Sequence, residues 1–303
     1  MPSLTQLEEQ ARRRLERLIV KHERAIQIAL RDALNAMRRD MQKLYKRYAV
    51  NGILSNAEMT RANRLASMEK QMIGHLNPAM RASLTAIDRL RPEQYQAAFF
   101  NYAWTIDSAA GVALDWGVLN KRAIVESLNN RFYYKSLRAF GPAGRATLRE
   151  QITTGLTRGK SFDQMSASLT EAVDITRARA LRIARTEGGY AQSAGQSGAY
   201  DQAKAEGVEG KREWLSTLDG RTRGDHAAMD GVPRRDDGLY HLPDGSTGRF
   251  PKDQSLSAGE RINCRCDETF VIEGFEPQLR RTRDEGLVPN QTYADWILDR
   301  RTF

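Results

Sequence analysis

Residues 3–48 read SLTQLEEQARRRLERLIVKHERAIQIALRDALNAMRRDMQKLYKRY, with no Gly and no Pro. Apolar or weakly polar side chains recur at Leu15, Leu18, His22, Ile26, Ala29, Ala33, Met37, Met41, Leu44 and Tyr48. Steps of three and four are the period of an α-helix. One continuous helix of this length spans about 70 Å at 1.5 Å per residue. Asn51-Gly52 ends it, since Gly suits the left-handed position just past a helix. The other face is mostly arginine. A helix cannot bury such a stripe alone, so the stretch predicts partner helices and a largely helical fold.

Working outward, Ser55 or Asn56 caps a second helix that runs to about Leu76. Asn77-Pro78 punctuates it, with Pro78 in the first turn of a third helix to about Leu90. Pro92 starts a fourth helix carrying Tyr95, Phe99, Tyr102 and Trp104. That aromatic stripe reads as core, with a base-stacking surface as the alternative. More helix is expected to about Arg138. Gly141-Pro142-Ala143-Gly144 is the clearest break and marks a boundary. Beyond it, helices are expected at 146–156, at 162–172 with Ser161 as cap, and from Thr176 to about Ala205. Gly188, Gly189, Gly195 and Gly198 lie in the last of these and permit close helix approach, at about 1 kcal/mol each in propensity. From Gly207 to Asp253 the chain is dense in Gly, Pro and Asp, and short runs at 213–215 and 268–272 read as strands. The expected fold class is mainly α with a smaller α+β C-terminal module: long N-terminal helices, then short strands and Gly/Asp-rich loops after residue 207. The expected domains are a basic helical region at 1–140, a module at 145–275 and a tail at 276–303.

The chain has 303 residues and a mass of 34.2 kDa, room for two compact units. No run approaches the roughly 18–20 apolar residues of a membrane span, so no membrane partner is expected. Met1–Val20 carries seven charged side chains and no apolar core, so no secretory leader is expected and the chain is expected to stay in the cytoplasm. Net charge is +9, and all the excess is in the first half: residues 1–150 hold 25 Lys/Arg against 14 Asp/Glu. Twelve cations fall on the first helix: Arg12, Arg13, Arg14, Arg17, Lys21, Arg24, Arg31, Arg38, Arg39, Lys43, Lys46 and Arg47. They point to a polyanion partner, or else to a solvated helix face.

Chemistry-bearing residues concentrate between Trp214 and Cys266. Cys264 and Cys266 are the only cysteines, too close in sequence for a disulfide framework. With His226 they form a candidate zinc set. The alternative is reduced thiols and a histidine in a structural hydrogen bond. Asp219, Asp225, Asp230, Asp236, Asp237, Asp244 and Asp253 could with His226 serve a metal-dependent nuclease, although acids in Gly-rich loops more often cap turns. A cysteine nucleophile with His226 as base rests on residue type alone. No phosphate-binding loop, nucleophile elbow or dinucleotide fingerprint is present. The expectation is therefore no enzymatic activity, with a nuclease or a general nucleic-acid-binding module as alternatives.

Four blocks in order resemble phage head morphogenesis proteins of the Mu protein F type, also called minor head or minor capsid proteins. They are 183–187 with Arg185, Thr186 and Glu187; Trp214 followed by Asp219, Arg221, Thr222, His226, Asp230 and Gly231; Asn263-Cys264-Arg265-Cys266; and Tyr293-Ala294-Asp295-Trp296. They cover about residues 145–300. Residues 1–140 carry no comparable motif, though the family places a long helical region there.

The resemblance implies a low-copy component of the procapsid and virion, assembled in the host cytoplasm. It implies a role in head morphogenesis at the portal vertex, binding the portal protein and capsid components, with DNA contact in packaging or delivery. It implies no cofactor beyond a candidate structural zinc. Some relatives have cysteines at the places of Arg223 and His226 and a histidine at that of Arg261. At most three of those ligands survive here unless His241 or Asp219 completes the shell, and the resemblance favours a polar network of Asp219, Arg221, Thr222 and His226 in which an Asp–Arg pair holds the loop. Some relatives carry a toxin domain after the module; none is expected within these 303 residues. An ADP-ribosyltransferase reading of Arg185-Thr186-Glu187 meets the absence of any Glu-x-Glu pair.

Overall fold

The computed structural model describes residues 4–117, 119, 124, 128, 137, 140–272, 279–282 and 286–301. Most of the helix expected between Ala110 and Arg138, and parts of the 276–303 tail, lie outside these residues. The long helices are α1 (Leu4–Tyr48), α3 (Arg64–Ala110), α4 (Pro142–Thr157) and α5 (Phe162–Ala205), with a single turn, α2 (Asn56–Thr60), between the first two. Then come β1 (Gly210–Leu215), α6 (Gly224–Ala228), β2 (Tyr240–His241), β3 (Thr247–Gly248), α7 (Ala258–Arg261), β4 (Asp267–Ile272), β5 (Leu279–Thr282), β6 (Gly286–Pro289) and α8 (Tyr293–Arg301). The fold is mainly α with a small α+β C-terminal part, as the sequence predicts. No helix among the described residues is long and apolar enough to cross a membrane.

The chain divides into two compact units. One comprises Lys21–Asp88 and Asn130–Ala184; the other comprises Met1–Val20, Arg89–Asn129 and Arg185–Phe303. Among its described residues the first is mainly helical. Its core joins Ile26, Leu30, Met37 and Met41 of α1 to Met68, Met72 and Leu76 of α3, Leu148 and Ile152 of α4, and Met165 and Leu169 of α5. Methionine is frequent here because its flexible side chain fills irregular gaps. Ser55 caps α2 by accepting from the Glu58 amide at 3.2 Å. Ser161 and Gln164 form a reciprocal capping box at the start of α5.

Three expected breaks are not breaks. α3 runs unbroken through Pro78 and Pro92, and α5 runs unbroken through 172–176. An interior proline forfeits a backbone hydrogen bond and costs about 3 kcal/mol. Around Pro78, the side chains of Met72, Leu76, Ala79 and Met80 are all buried; around Pro92, so are Leu90, Gln94 and Ala98. Continuous burial on both sides of each proline offsets that cost. In α5, burial of Ala172, Val173 and Ala180 carries the helix through.

In the second unit β1 and β4 pair antiparallel, with Trp214 opposite Glu268 and Arg212 opposite Phe270. Phe270 stacks on Tyr200 of α5 at 5.0 Å, and Tyr200 meets Tyr102 of α3 edge-on at 5.8 Å. The aromatic stripe of α3 thus splits. Phe99 and Tyr102 are core, whereas Trp104 is 43% exposed with the Arg14 guanidinium 5.9 Å from its ring centre. Close packing of α5 on α3 depends on Gly195: a Cβ there would lie 2.3 Å from the Tyr95 carbonyl oxygen.

Gly195→Ala is therefore expected to destabilise the protein by about 1–3 kcal/mol through overpacking. Gly74→Ala on α3, where an added Cβ meets nothing within 4 Å, is expected to stabilise it by about 0.5–1 kcal/mol. Urea unfolding of the two variants checks both signs.

Candidate functional site

The site is built by loops that β1 and β4 bring together. β1 places Trp214 at full burial, where its ring meets His226 and Tyr240 edge-on, each at 5.4 Å. The chain then turns through Ser216–Arg223 into α6, a single turn bearing His226. From the other side, α7 and the tight turn at Asn263 (φ 57°) deliver Cys264 and Cys266 to the start of β4.

These three residues converge. His226 Nδ1 lies 3.2 Å from Cys266 Sγ and 3.6 Å from Cys264 Sγ, and all three donor atoms fall within 4.8 Å of one another. Zinc bound at about 2.0–2.1 Å to nitrogen and 2.3 Å to sulfur in tetrahedral geometry separates such atoms by about 3.5 Å. The other ring nitrogen, Nε2, sits 2.6 Å from Glu260 Oε2. A carboxylate behind the imidazole fixes the face that a ligating histidine presents. Burial pushes the Cys264 thiol up, while Cys266, hydrogen-bonded to Cys264 and to His226, is held down. These three donor atoms have the spacing and chemistry of zinc ligands, one short of the four that a structural zinc takes.

Neither expected fourth ligand joins it. His241 is bound to Asp237 at 2.6 Å, and Asp219 is taken by Arg265. Arg223 donates to the carbonyls of Glu260 and Ile262 at 3.2 and 2.5 Å. Nor do the aspartates gather for a nuclease. Among the described residues only His226, Cys264 and Cys266 form a potential metal-holding group. Asp253 binds Arg249, Asp244 caps the Ser246 turn, and Asp230 holds Arg280.

The polar network exists, but with different partners from those expected. Asp219 is buried and holds both guanidinium nitrogens of Arg265 as well as the Arg221 main-chain N–H at 2.9 Å. Its arginine is thus Arg265, which comes from the start of β4, whereas Arg221 gives Asp219 its main-chain N–H and leaves its side chain exposed. Thr222 closes the loop by donating to the Thr217 carbonyl. Asp230 accepts from the Ser216 and Tyr293 amides at 2.7 and 2.6 Å and from both terminal nitrogens of Arg280 at 2.7 and 2.6 Å. Gly231, at φ 73°, donates to the Trp214 carbonyl at 2.8 Å. The Tyr293 block is tied in as well: its hydroxyl donates to the Asp219 carbonyl at 3.1 Å, and Trp296 is buried. Glu187 is paired with buried Arg91 at 3.2 Å, and burial pushes its carboxyl up. Arg185 lies on the exposed side of α5, with Thr186 half-buried beside it. Sequence reasoning missed Arg265 as a partner, Glu260 and Arg280. Arg265 sits inside a quoted motif, whereas nothing local marks the other two.

Of the twelve basic positions on α1, ten are exposed; Arg12 and Arg38 are half-buried, and Arg38 donates to Thr170 at 2.7 Å.

Asp230→Asn is expected to lower stability by about 3–5 kcal/mol, because it leaves Arg280 buried without its anion. Asp219→Ala is expected to be destabilising, by less than Asp230→Asn, because it removes the buried acceptor of the Arg221 N–H and the Arg265 guanidinium while Arg265 itself stays exposed to solvent. Arg221→Ala, an exposed side chain, is expected to stay within about 0.5 kcal/mol of the parent. Thermal unfolding of the three variants checks the order.

Residues 146–269 match the family model described as Phage Mu protein F like protein. Across 299 residues the chain is 26% identical to the minor head protein GP7 of Bacillus phage SPP1, covering 96% of each. It is 28% identical over 267 residues to a protein of Enterococcus faecalis (strain ATCC 700802 / V583) named NAD(+)--arginine ADP-ribosyltransferase EFV, covering 86% of this chain and 54% of that one. It is 30% identical over 150 residues to the YqbB protein of Bacillus subtilis (strain 168), covering 47% of this chain and 48% of that one. The chain thus spans about half the length of the latter two relatives. No solved structure gives a significant match. Over residues 146–269 this chain is thus similar to the Phage Mu protein F like proteins.

Proposed function

We propose that this chain is a minor head protein, a low-copy structural component that enters the procapsid during head morphogenesis. The observation that carries this reading is end-to-end similarity to the SPP1 minor head protein GP7, over 96% of both chains. In this reading the protein joins the head at the portal vertex, binding portal and capsid components, and stays in the virion after assembly in the host cytoplasm. The exposed cations of α1 support contact with DNA during packaging or delivery, since phosphate contacts release counterions. They serve equally as a face for an acidic portal surface. The transferase name of the Enterococcus faecalis relative is not carried over: this chain covers 54% of that protein and has no Glu-x-Glu pair.

The zinc set belongs to the same reading as a structural staple. Zinc-supplemented protein is expected to hold about one zinc per chain by plasma mass spectrometry. Cys264→Ser with Cys266→Ser is expected to lose it and to melt at lower temperature, whereas an unchanged metal content would remove zinc from the site.

Quantitative mass spectrometry of procapsids and mature particles from the source phage or prophage tests the head reading. A few to a few tens of copies per particle, far below the major capsid protein, are expected in both. Absence from both particle types overturns the reading.

A further inference from the structure

Beside the His226, Cys264 and Cys266 cluster lies a cavity of about 860 Å³, within the range of small-ligand sites. Its walls come from the first part of α1, the Arg185–Gln192 stretch of α5, the loop before α6, and the segments around Lys252 and the Cys264–Cys266 turn. Six cationic side chains line it against two carboxylates, Glu16 and Asp267. Asp267 is already engaged, with Arg12 at 3.8 Å and with Gln192 at 3.4 Å. Arg265 is neutralised by Asp219. Among the described residues, no carboxylate lies within ion-pair distance of Arg221, Arg223 or Lys252. The Arg223 guanidinium donates to backbone carbonyls, and the Lys252 ammonium donates to the Ser193 hydroxyl at 3.3 Å.

Lys252 is the most informative of the three. Its residue is only 7% exposed, and burying an ammonium without an anion is costly. It also sits at φ 74°, third in the Phe250–Asp253 turn, a place that favours glycine. Gly189 of α5 leaves its stem room, for a Cβ there would come within 3.0 Å of Lys252 Cδ. A strained backbone and a glycine seat both hold a buried cation against the cavity. Such strain persists where the surroundings impose it, and it concentrates at ligand clamps.

We propose that this cavity is a binding site for a phosphate monoester, held by Lys252, Arg221 and Arg223. The phosphate is the terminal group of either a nucleotide or a DNA 5′ end; both offer the same dianion to the same three donors. The proposal stands on the cavity alone and does not rest on the head-protein reading.

The test is equilibrium binding to the full-length protein at low salt. The probes are dAMP, deoxyadenosine, and a short duplex with or without a 5′ phosphate. Expected is dAMP binding at least tenfold tighter than deoxyadenosine, or tighter binding of the phosphorylated duplex than of its 5′-hydroxyl form. The first result names a free nucleotide as the source, the second a DNA end. Lys252→Met and Arg221→Ala, each shown to be folded by circular dichroism, are expected to weaken that preference at least tenfold. Arg24→Ala with Arg31→Ala, outside the cavity, is expected to leave it unchanged while weakening general duplex binding. No phosphate preference with any probe, or a preference that survives both cavity variants, overturns the proposal. Loss of duplex binding in the α1 variant alone bears on the DNA-contact reading and not on this one.

Discussion

The carboxylate of Asp230 holds the C-terminal module together. Four donors converge on its two oxygens: the Ser216 and Tyr293 amides and the two terminal nitrogens of Arg280. Those donors come from the end of β1, the start of α8 and β5, which are far apart in the chain. Ordering such distant segments costs conformational entropy, which a buried, fully hydrogen-bonded ion pair offsets only when every donor is in place. Arg280 also donates to the Ser216 and Gln291 carbonyls, so the same pair fixes both the loop leading to His226 and the tail that covers it.

From that anchor the remaining polar contacts follow as a graded series. Asp219 repeats the device on the loop before α6, with Arg265 in place of Arg280. Because Arg265 stands between Cys264 and Cys266, fixing its guanidinium also fixes the two thiols that flank it. Glu260 then sets the imidazole that faces them. The metal-type cluster is thus a consequence of two aspartate–arginine pairs and one carboxylate–histidine contact. The cavity beside it is lined by paired Arg12 and Arg265 and also by Arg221, Arg223 and Lys252.

The two compact units are stabilised differently. The mainly helical unit is held by an aliphatic and methionine core, with polar contacts confined mainly to caps and edges. The other unit buries Arg91, Glu187, Arg212, Asp219 and Glu268 alongside its aromatic residues. Buried polar groups are costly unless paired, and they specify geometry more sharply than apolar packing does.

The sequence by itself determined α1, because forty-five residues without a breaker and with an unbroken 3.6-residue stripe admit one conformation. It also determined the β1 and β4 strands, the Ser55 and Ser161 caps, and the His226, Cys264 and Cys266 set, each of which is local or carried by rare residue types. Tertiary structure alone decided the rest. Pro78 and Pro92 read as helix boundaries, yet burial on both sides carried α3 through them. Asp219 has an arginine two residues away, yet its partner is Arg265, brought near by strand pairing. Arg280 and Glu260 look like ordinary surface charges in the sequence, and no local pattern marks them. Their roles depend on contacts across 50 and 34 residues of chain, and a one-dimensional pattern records propensity and period but not which distant groups folding brings within 3 Å.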